Sequence, residues 1–266
     1  MAARWVVIKC YPPQRSARPM LLIEQKNFLG DLPTWVTAIA TLLLAALAIF
    51  QDSLRRLLTR PKVELHTRPQ PPECLPTEWL CVRTFRKINP VSNERFDETI
   101  QLALPCYYFR LRVTNSGNCE AREVEVFAKD LKRHSESRGE FDDVARFSPM
   151  NLLWADVRQP FLHVLSPKLP KLCDLAHAIA PSKRDYLGHR LQGVSDDHVI
   201  LALDLQVEPN SKGHLLGPGF YRLTLVLAAA NAPPREYQLD ITITGDWYEE
   251  PDRMFTDGIR FRLREL

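Results

Sequence analysis

No charged residue occurs between Asp31 and Asp52. The twenty residues between them run Leu32-Pro-Thr-Trp-Val-Thr-Ala-Ile-Ala-Thr-Leu-Leu-Leu-Ala-Ala-Leu-Ala-Ile-Phe-Gln51. At 1.5 Å per residue such a helix is about 30 Å long, the thickness of a bilayer core. Pro33 suits a first helical turn, where its missing N–H would be unpaired anyway. Trp35 stands where an interfacial aromatic would anchor. The run is apolar on every side, whereas a buried soluble helix of this length usually keeps a polar edge. The sequence therefore predicts one transmembrane helix over 32–51, with the lipid bilayer as a partner. The competing reading is a cleaved leader, since Ala46-Leu47-Ala48 has small-x-small form. Against it, Ile49 and Phe50 carry the apolar run past that cut.

Residues 52–61 continue as a short basic helix, with Leu54, Leu57 and Leu58 on one face. Arg55, Arg56 and Arg60 suit the headgroup level, and Pro61 ends the helix. In the N-terminal segment 1–31, residues 1–19 are Arg-rich and show no periodicity, and Met20 is an alternative start. Arg15, Arg18 and Lys26 precede the span within twenty residues. Arg55, Arg56, Arg60, Lys62 and Arg68 follow it. This bias predicts a cytoplasmic C-terminal part at an inner membrane. Basic residues outnumber acidic ones 35 to 32 over the whole chain. The portion after residue 61 has 27 basic against 29 acidic residues. It holds no excess with which to grip a phosphate backbone, so nucleic acid is not an expected partner.

From Lys62 onward the dominant period is two, the signature of strands with one buried face. Leu111 and Val113, Val124, Leu203, Leu223 and Leu225, and Leu239 and Ile241 fall on the apolar side and form the expected core. Asn115-Ser-Gly117-Asn118, Gly217-Pro-Gly219 and Asn231-Ala-Pro-Pro234 punctuate the strands. The sequence predicts that 107–114 and 122–128 pair as neighbours, with Arg110 and Arg112 opposite Glu123 and Glu125. The expected fold is mainly β: a β-sandwich over 62–248, a long irregular insert at about 130–198, and a solvated tail over 249–266.

Phe109-Arg-Leu-Arg-Val-Thr-Asn-Ser-Gly-Asn-Cys-Glu-Ala-Arg-Glu-Val-Glu-Val126 resembles the strand–turn–strand of bacterial immunoglobulin-like adhesion-type modules. Gly219–Leu225 followed by Leu239–Ile243 is similar to the final hairpin of such sandwiches. The whole plan resembles single-pass bacterial membrane proteins with a C-terminal immunoglobulin-like domain. That resemblance implies an immunoglobulin-like antiparallel sandwich and carries no activity with it.

Six cysteines are present, five of them after the span. Five cannot all pair, no C-x-x-C occurs, and no Asn-x-Ser/Thr sequon exists, which favours a reducing compartment. Cys173 and His177 share a four-residue spacing, but no second pair stands at zinc-like distance, so neither metal nor cofactor is expected. No nucleophile elbow, P-loop or H-E-x-x-H occurs, so no catalytic residue is assigned. Trp154, His163, Cys173 and His177, in the insert, are the candidate interaction surface, for a protein partner of unstated identity. The chain thus reads as a non-enzymatic, membrane-anchored interaction or sensing module. The alternatives are an envelope-facing peptide- or carbohydrate-binding domain, and a hydrolase with its site in the insert.

Overall fold

The structure is a computed structural model that describes residues 34–58, 60–88 and 95–266, with all their side chains except those of 34, 52–58, 88 and 96. The chain divides into two units, with the boundary between Leu54 and Arg55. Helix α1 spans Thr34–Leu58 without a break, because no glycine or proline interrupts it before Pro61. Ile39, Leu42, Leu43, Leu44, Leu47, Ile49 and Phe50 on it are all exposed. Among the described residues no helix is long and apolar enough to cross a membrane. Segment 1–31, Leu32 and Pro33, and the side chains of Arg55 and Arg56 lie outside the described residues.

The second unit is built of antiparallel strands. In chain order they are β1 (Val63–His66), β2 (Cys74–Ile88), β3 (Arg95–Asn115), β4 (Ala121–Ser135), β5 (Glu140–Asp143), β6 (Met150–Asn151) and β7 (Leu153–Trp154). There follow β8 (Phe161–Leu165), β9 (Lys171–Ile179), β10 (Leu201–Leu203), β11 (Leu215–Leu216), β12 (Gly219–Ala229), β13 (Ala232–Ile243) and β14 (Ile259–Glu265). One sheet has the order β1-β3-β9-β10-β11, with β2 on β3 and β7 on β9; the other runs β14-β13-β12-β4-β5, with β6 and β8 also on β4. The two inner faces close one core. All eight residues expected there (Leu111, Val113, Val124, Leu203, Leu223, Leu225, Leu239 and Ile241) are buried in it.

Three expectations are corrected. Strands β3 and β4 are not neighbours; they belong to different sheets, and the turn after Asn115 carries the chain across. Asn115 makes that corner. Its Oδ1 accepts from the Lys62 and Gly117 N–H groups at 3.1 and 3.0 Å, and its Nδ2 donates to the carbonyls of Cys119 and Leu165 at 2.7 and 3.1 Å. Gly117 is required there, because a Cβ would lie 2.3 Å from the Arg60 carbonyl oxygen. Arg110 and Arg112 accordingly meet Asp174 and Glu73, at 2.8 and 2.5 Å, rather than the glutamates of β4.

The second correction concerns 130–198, which is not an irregular insert. Strands β5, β6 and β8 line one edge of β4, and β7 and β9 enter the opposite sheet. The short, proline-divided apolar runs are strands of two to nine residues; the shortest are too brief to display a period, and the longest, β9, is buried on both faces. The third concerns the tail. After a helical turn at Pro251–Arg253, residues Ile259–Glu265 pair with β13 from Ile243 to Tyr237. Ile259 is buried while Arg260, Arg262 and Arg264 alternate outward or to the rim, so the sheet edge is charged.

Candidate functional site

Strand β9 has seven consecutive buried residues, Cys173 to Ile179. A strand of a simple sandwich shows alternate burial, so both faces of β9 are covered. Cys173, Leu175, Ala176 and Ala178 face the main core. Asp174, His177 and Ile179 face the other way, the alternation being reset by a bulge opposite Phe109 and Arg110. The cover is the segment after β9. It starts with a 3-10 helix, Pro181–Leu187, whose Tyr186 and Leu187 pack with Ile179, Leu104 and Cys106. Arg184, 2% exposed, pins the segment: its guanidinium donates to the carbonyls of His198 and Ser195 at 2.6 and 2.9 Å and to Asp196 at 3.0 Å.

Under this cover lies a polar layer. His177 Nδ1 donates to Asp204 Oδ1 at 3.0 Å, with side-chain exposures of 7% and 5%. Trp79 stacks on the His177 ring, centroids 4.3 Å apart, and His189 lies 5.3 Å from it. Asp174 accepts from Arg110 Nε at 2.8 Å and Arg158 Nη1 at 3.3 Å. Burial, then the neighbouring Asp204, nevertheless push the Asp174 carboxyl above the usual range, against the two arginines. Burial, with His177 and His214 adding repulsion, drives His189 down to about 3. Burial also lowers His214, against the pull of Glu208. Four buried atoms of this layer have no partner among the described residues: His177 Nε2, His189 Nδ1, Asp204 Oδ2 and His214 Nδ1. Ordered water commonly completes such a set.

The layer holds His189 as a neutral imidazole. It lacks what a hydrolase would add. Among the described residues no hydroxyl or thiol hydrogen-bonds to His177. No group of three His, Cys, Asp or Glu there is arranged to hold a metal ion. The neighbouring thiol, Cys106, is raised well above its usual range by burial and by Asp204, the opposite of an activated nucleophile. The nearest large cleft, about 870 Å³, is lined by Pro76, Cys106, Tyr107, Lys183, Asp196 and Trp247 among others. None of Asp174, His177, His189, Asp204 or His214 reaches it.

The candidate interaction residues are not one surface. Trp154 and Cys173 are cross-strand partners with both side chains at 0% exposure in the core. His177 is buried on the opposite face, at 6%. Only His163 is open to solvent, on β8 of the other sheet, where Nδ1 lies 3.1 Å from Glu123 Oε1. Trp35 is exposed on α1, and Arg60 is exposed just before β1. Asp174, Asp204, His189, His214 and Arg110 were not among the expected site residues. The sequence signal that points to them is slight: Ala202, packed with Ile200 and Leu215 beneath Leu191 and Val194, is the small residue that lies under the covering segment.

The described cysteines, 74, 81, 106, 119 and 173, are free thiols, and of these only Cys119 is partly accessible. Compared with known proteins, the chain matches no family model and no curated protein.

Proposed function

We propose that this chain is a membrane-anchored, non-enzymatic interaction or sensing module that presents an immunoglobulin-like sandwich at the cytoplasmic face. The observation that carries the reading is the ring of exposed apolar side chains on α1. Leu42, Leu43 and Leu44 are each at least 65% exposed, and Leu47, Ile49 and Phe50 at least 59%. Successive residues lie about 100° apart around a helix, so these six cover all of it but a sector of about 140° that the uncharged Thr41, Ala45 and Ala48 occupy. Leaving each in water forgoes about 1.5–3 kcal/mol. The proposed span is the whole uncharged run 32–51, within the range of about 17–25 residues that cross a bilayer. The immunoglobulin-like character rests on the strand–turn–strand of 109–126 and the hairpin of 219–243. The cytoplasmic placement rests on five basic residues after the run against three before it, and on free thiols throughout the described domain.

Carbonate extraction tests the anchor: the protein stays with the membrane pellet, and its release into the supernatant refutes the reading. A membrane-impermeant maleimide tests sidedness through Cys119, the accessible domain thiol. No labelling of Cys119 in cells with a permeabilised outer membrane, followed by labelling after lysis, is expected. Labelling before lysis moves the domain to the envelope side.

A further inference from the structure

Strand β2 pairs with β3 along its entire length, from Cys74↔Phe109 to Ile88↔Arg95. Strand β3, however, joins the rest of its sheet only from Cys106 onward, through β9 and β1. The outer part, 78–88 with 95–105, is therefore a two-stranded arm of eleven residue pairs, about 37 Å long at 3.4 Å each. Among the described residues, no strand other than β3 pairs with β2. An isolated ribbon is marginal in water, and an open edge is a template for another strand. The arm also exposes apolar side chains: Leu80 is 62% exposed, Val82 65% and Phe85 40%.

We infer that β2 is the docking edge for a second copy of this chain, joined antiparallel, β2 to β2, about a two-fold axis at Val82. The sequence of the edge selects both occupant and register. A two-fold axis normal to the ribbon keeps each side chain on its own face, so opposed residues have the same parity and the centre falls on a residue. Centred on Val82, Glu78 opposes Arg86 of the second copy, and Arg86 opposes its Glu78. Trp79 meets Phe85, and Leu80 meets Thr84. Opposite-charge and aromatic cross-strand pairs each stabilise such a ladder. Centring on Cys81 instead puts Glu78 against Thr84 and Trp79 against Arg83. Centring on Arg83 puts Glu78 against Ile88 and Leu80 against Arg86. Only the Val82 register among these three matches charge to charge.

The charged groups on the arm are otherwise placed for this. Arg86 Nε bonds Asp97 Oδ1 at 3.2 Å and remains 71% exposed, free to bridge to a second carboxylate. Lys87 is held by Glu98 and would face the neutral Thr77. Glu78 is exposed and makes no ion pair among the described residues. The like-charge approach of Arg83 to its copy is diagonal and open to solvent, where screening is strong. The result would be a four-stranded antiparallel ribbon that buries Leu80, Val82 and Thr84 of both copies side by side. This inference does not depend on the membrane anchor.

The test is cysteine cross-linking of the full chain in detergent micelles, on a Cys81→Ser background. Val82→Cys places two thiols on the axis, directly opposed, and should give a reducible dimer on mild oxidation. Thr84→Cys alone should not, because its opposite residue is Leu80; co-expressed with Leu80→Cys it should. Adding Glu78→Arg to Val82→Cys should abolish the dimer band, and adding Arg86→Glu to that pair should restore it. Positions 78, 80, 82, 84 and 86 are exposed, so far-UV circular dichroism should match that of the Cys81→Ser parent throughout. Absence of the Val82→Cys dimer refutes the inference. So does equal cross-linking at Thr84→Cys alone, which marks random collision in the micelle, or a charge-swapped pair that fails to recover. A protein that resists carbonate yet gives no dimer sinks the docking edge and leaves the anchor standing.

Discussion

Leu225→Ala and Thr224→Ala, neighbours on one strand, should differ several-fold in their cost. Leu225 lies on β12, at the centre of its sheet, opposite Tyr237 on one side and Ala128 on the other, and is fully buried. Truncation to alanine removes three carbons from the core, about 2.4 kcal/mol at about 0.8 kcal/mol each. A residual cavity of about 75 Å³ adds about 1.8 kcal/mol at about 24 cal/mol per Å³, less whatever collapse recovers. The expected loss is therefore about 3–4 kcal/mol. For a domain of this size that lowers the melting temperature by roughly 6–16 °C. Thr224 points to the other face, half-exposed, opposite Gln238 and Asp130; its truncation should cost under about 1 kcal/mol. Thermal unfolding of the two variants beside wild type, followed by circular dichroism in the same detergent, gives the comparison. Equal shifts, or a larger one at Thr224, would refute the inner and outer faces assigned to β12 and with them the single shared core.

Asn115→Ala should cost at least about 3 kcal/mol in urea unfolding, because the N–H groups of Lys62 and Gly117 and the carbonyls of Cys119 and Leu165 all lose their partner. Arg110→Ala should cost about 3 kcal/mol by leaving Asp174 buried with Arg158 alone, while Arg110→Leu with Asp174→Leu should recover most of it; a double variant as unstable as the single one would show that the pair is not what matters. His189, held down to about 3 in the fold, binds its proton only in the unfolded chain between there and pH 6.5. Its contribution is thus full above pH 6.5 and is lost as the pH falls toward 3, on the order of 3–5 kcal/mol in total. His189→Leu should flatten that part of the stability–pH curve, and an unchanged slope would contradict the buried neutral imidazole. Among the domain thiols, Cys119 should react with maleimide first. Burial and Glu73 push Cys74 up to about 12, and burial raises Cys173 too. Mass spectrometry of briefly labelled native protein should therefore find the label lost with Cys119→Ser.

Alternation made the inner core legible, since Leu111, Val113, Val124, Leu223, Leu225, Leu239 and Ile241 sit at period two on long strands. The same rule misread which strands are partners. A turn such as Asn115-Ser-Gly117-Asn118 reads as a hairpin or as a crossing between sheets, and only the four hydrogen bonds that Asn115 makes, two of them 50 or more residues away in sequence, decide between them. The polar layer was illegible for a related reason. Period two says which side chains share a face; it does not say whether that face is wet. Asp204 follows Leu201-Ala-Leu203 and His177 lies between Ala176 and Ala178, positions that read as solvent-facing polar alternates. Each is buried because a segment 181–198, with no strand of its own, folds back over the sheet and is fastened by Arg184. A long-range cover of that kind leaves little trace in the sequence beyond Ala202 beneath Leu191 and Val194. The two faces of the same sheet thus obey different rules: one is specified by local periodicity, the other by a covering segment held by buried Arg184 and by the packing of Tyr186, Leu187, Leu191 and Val194.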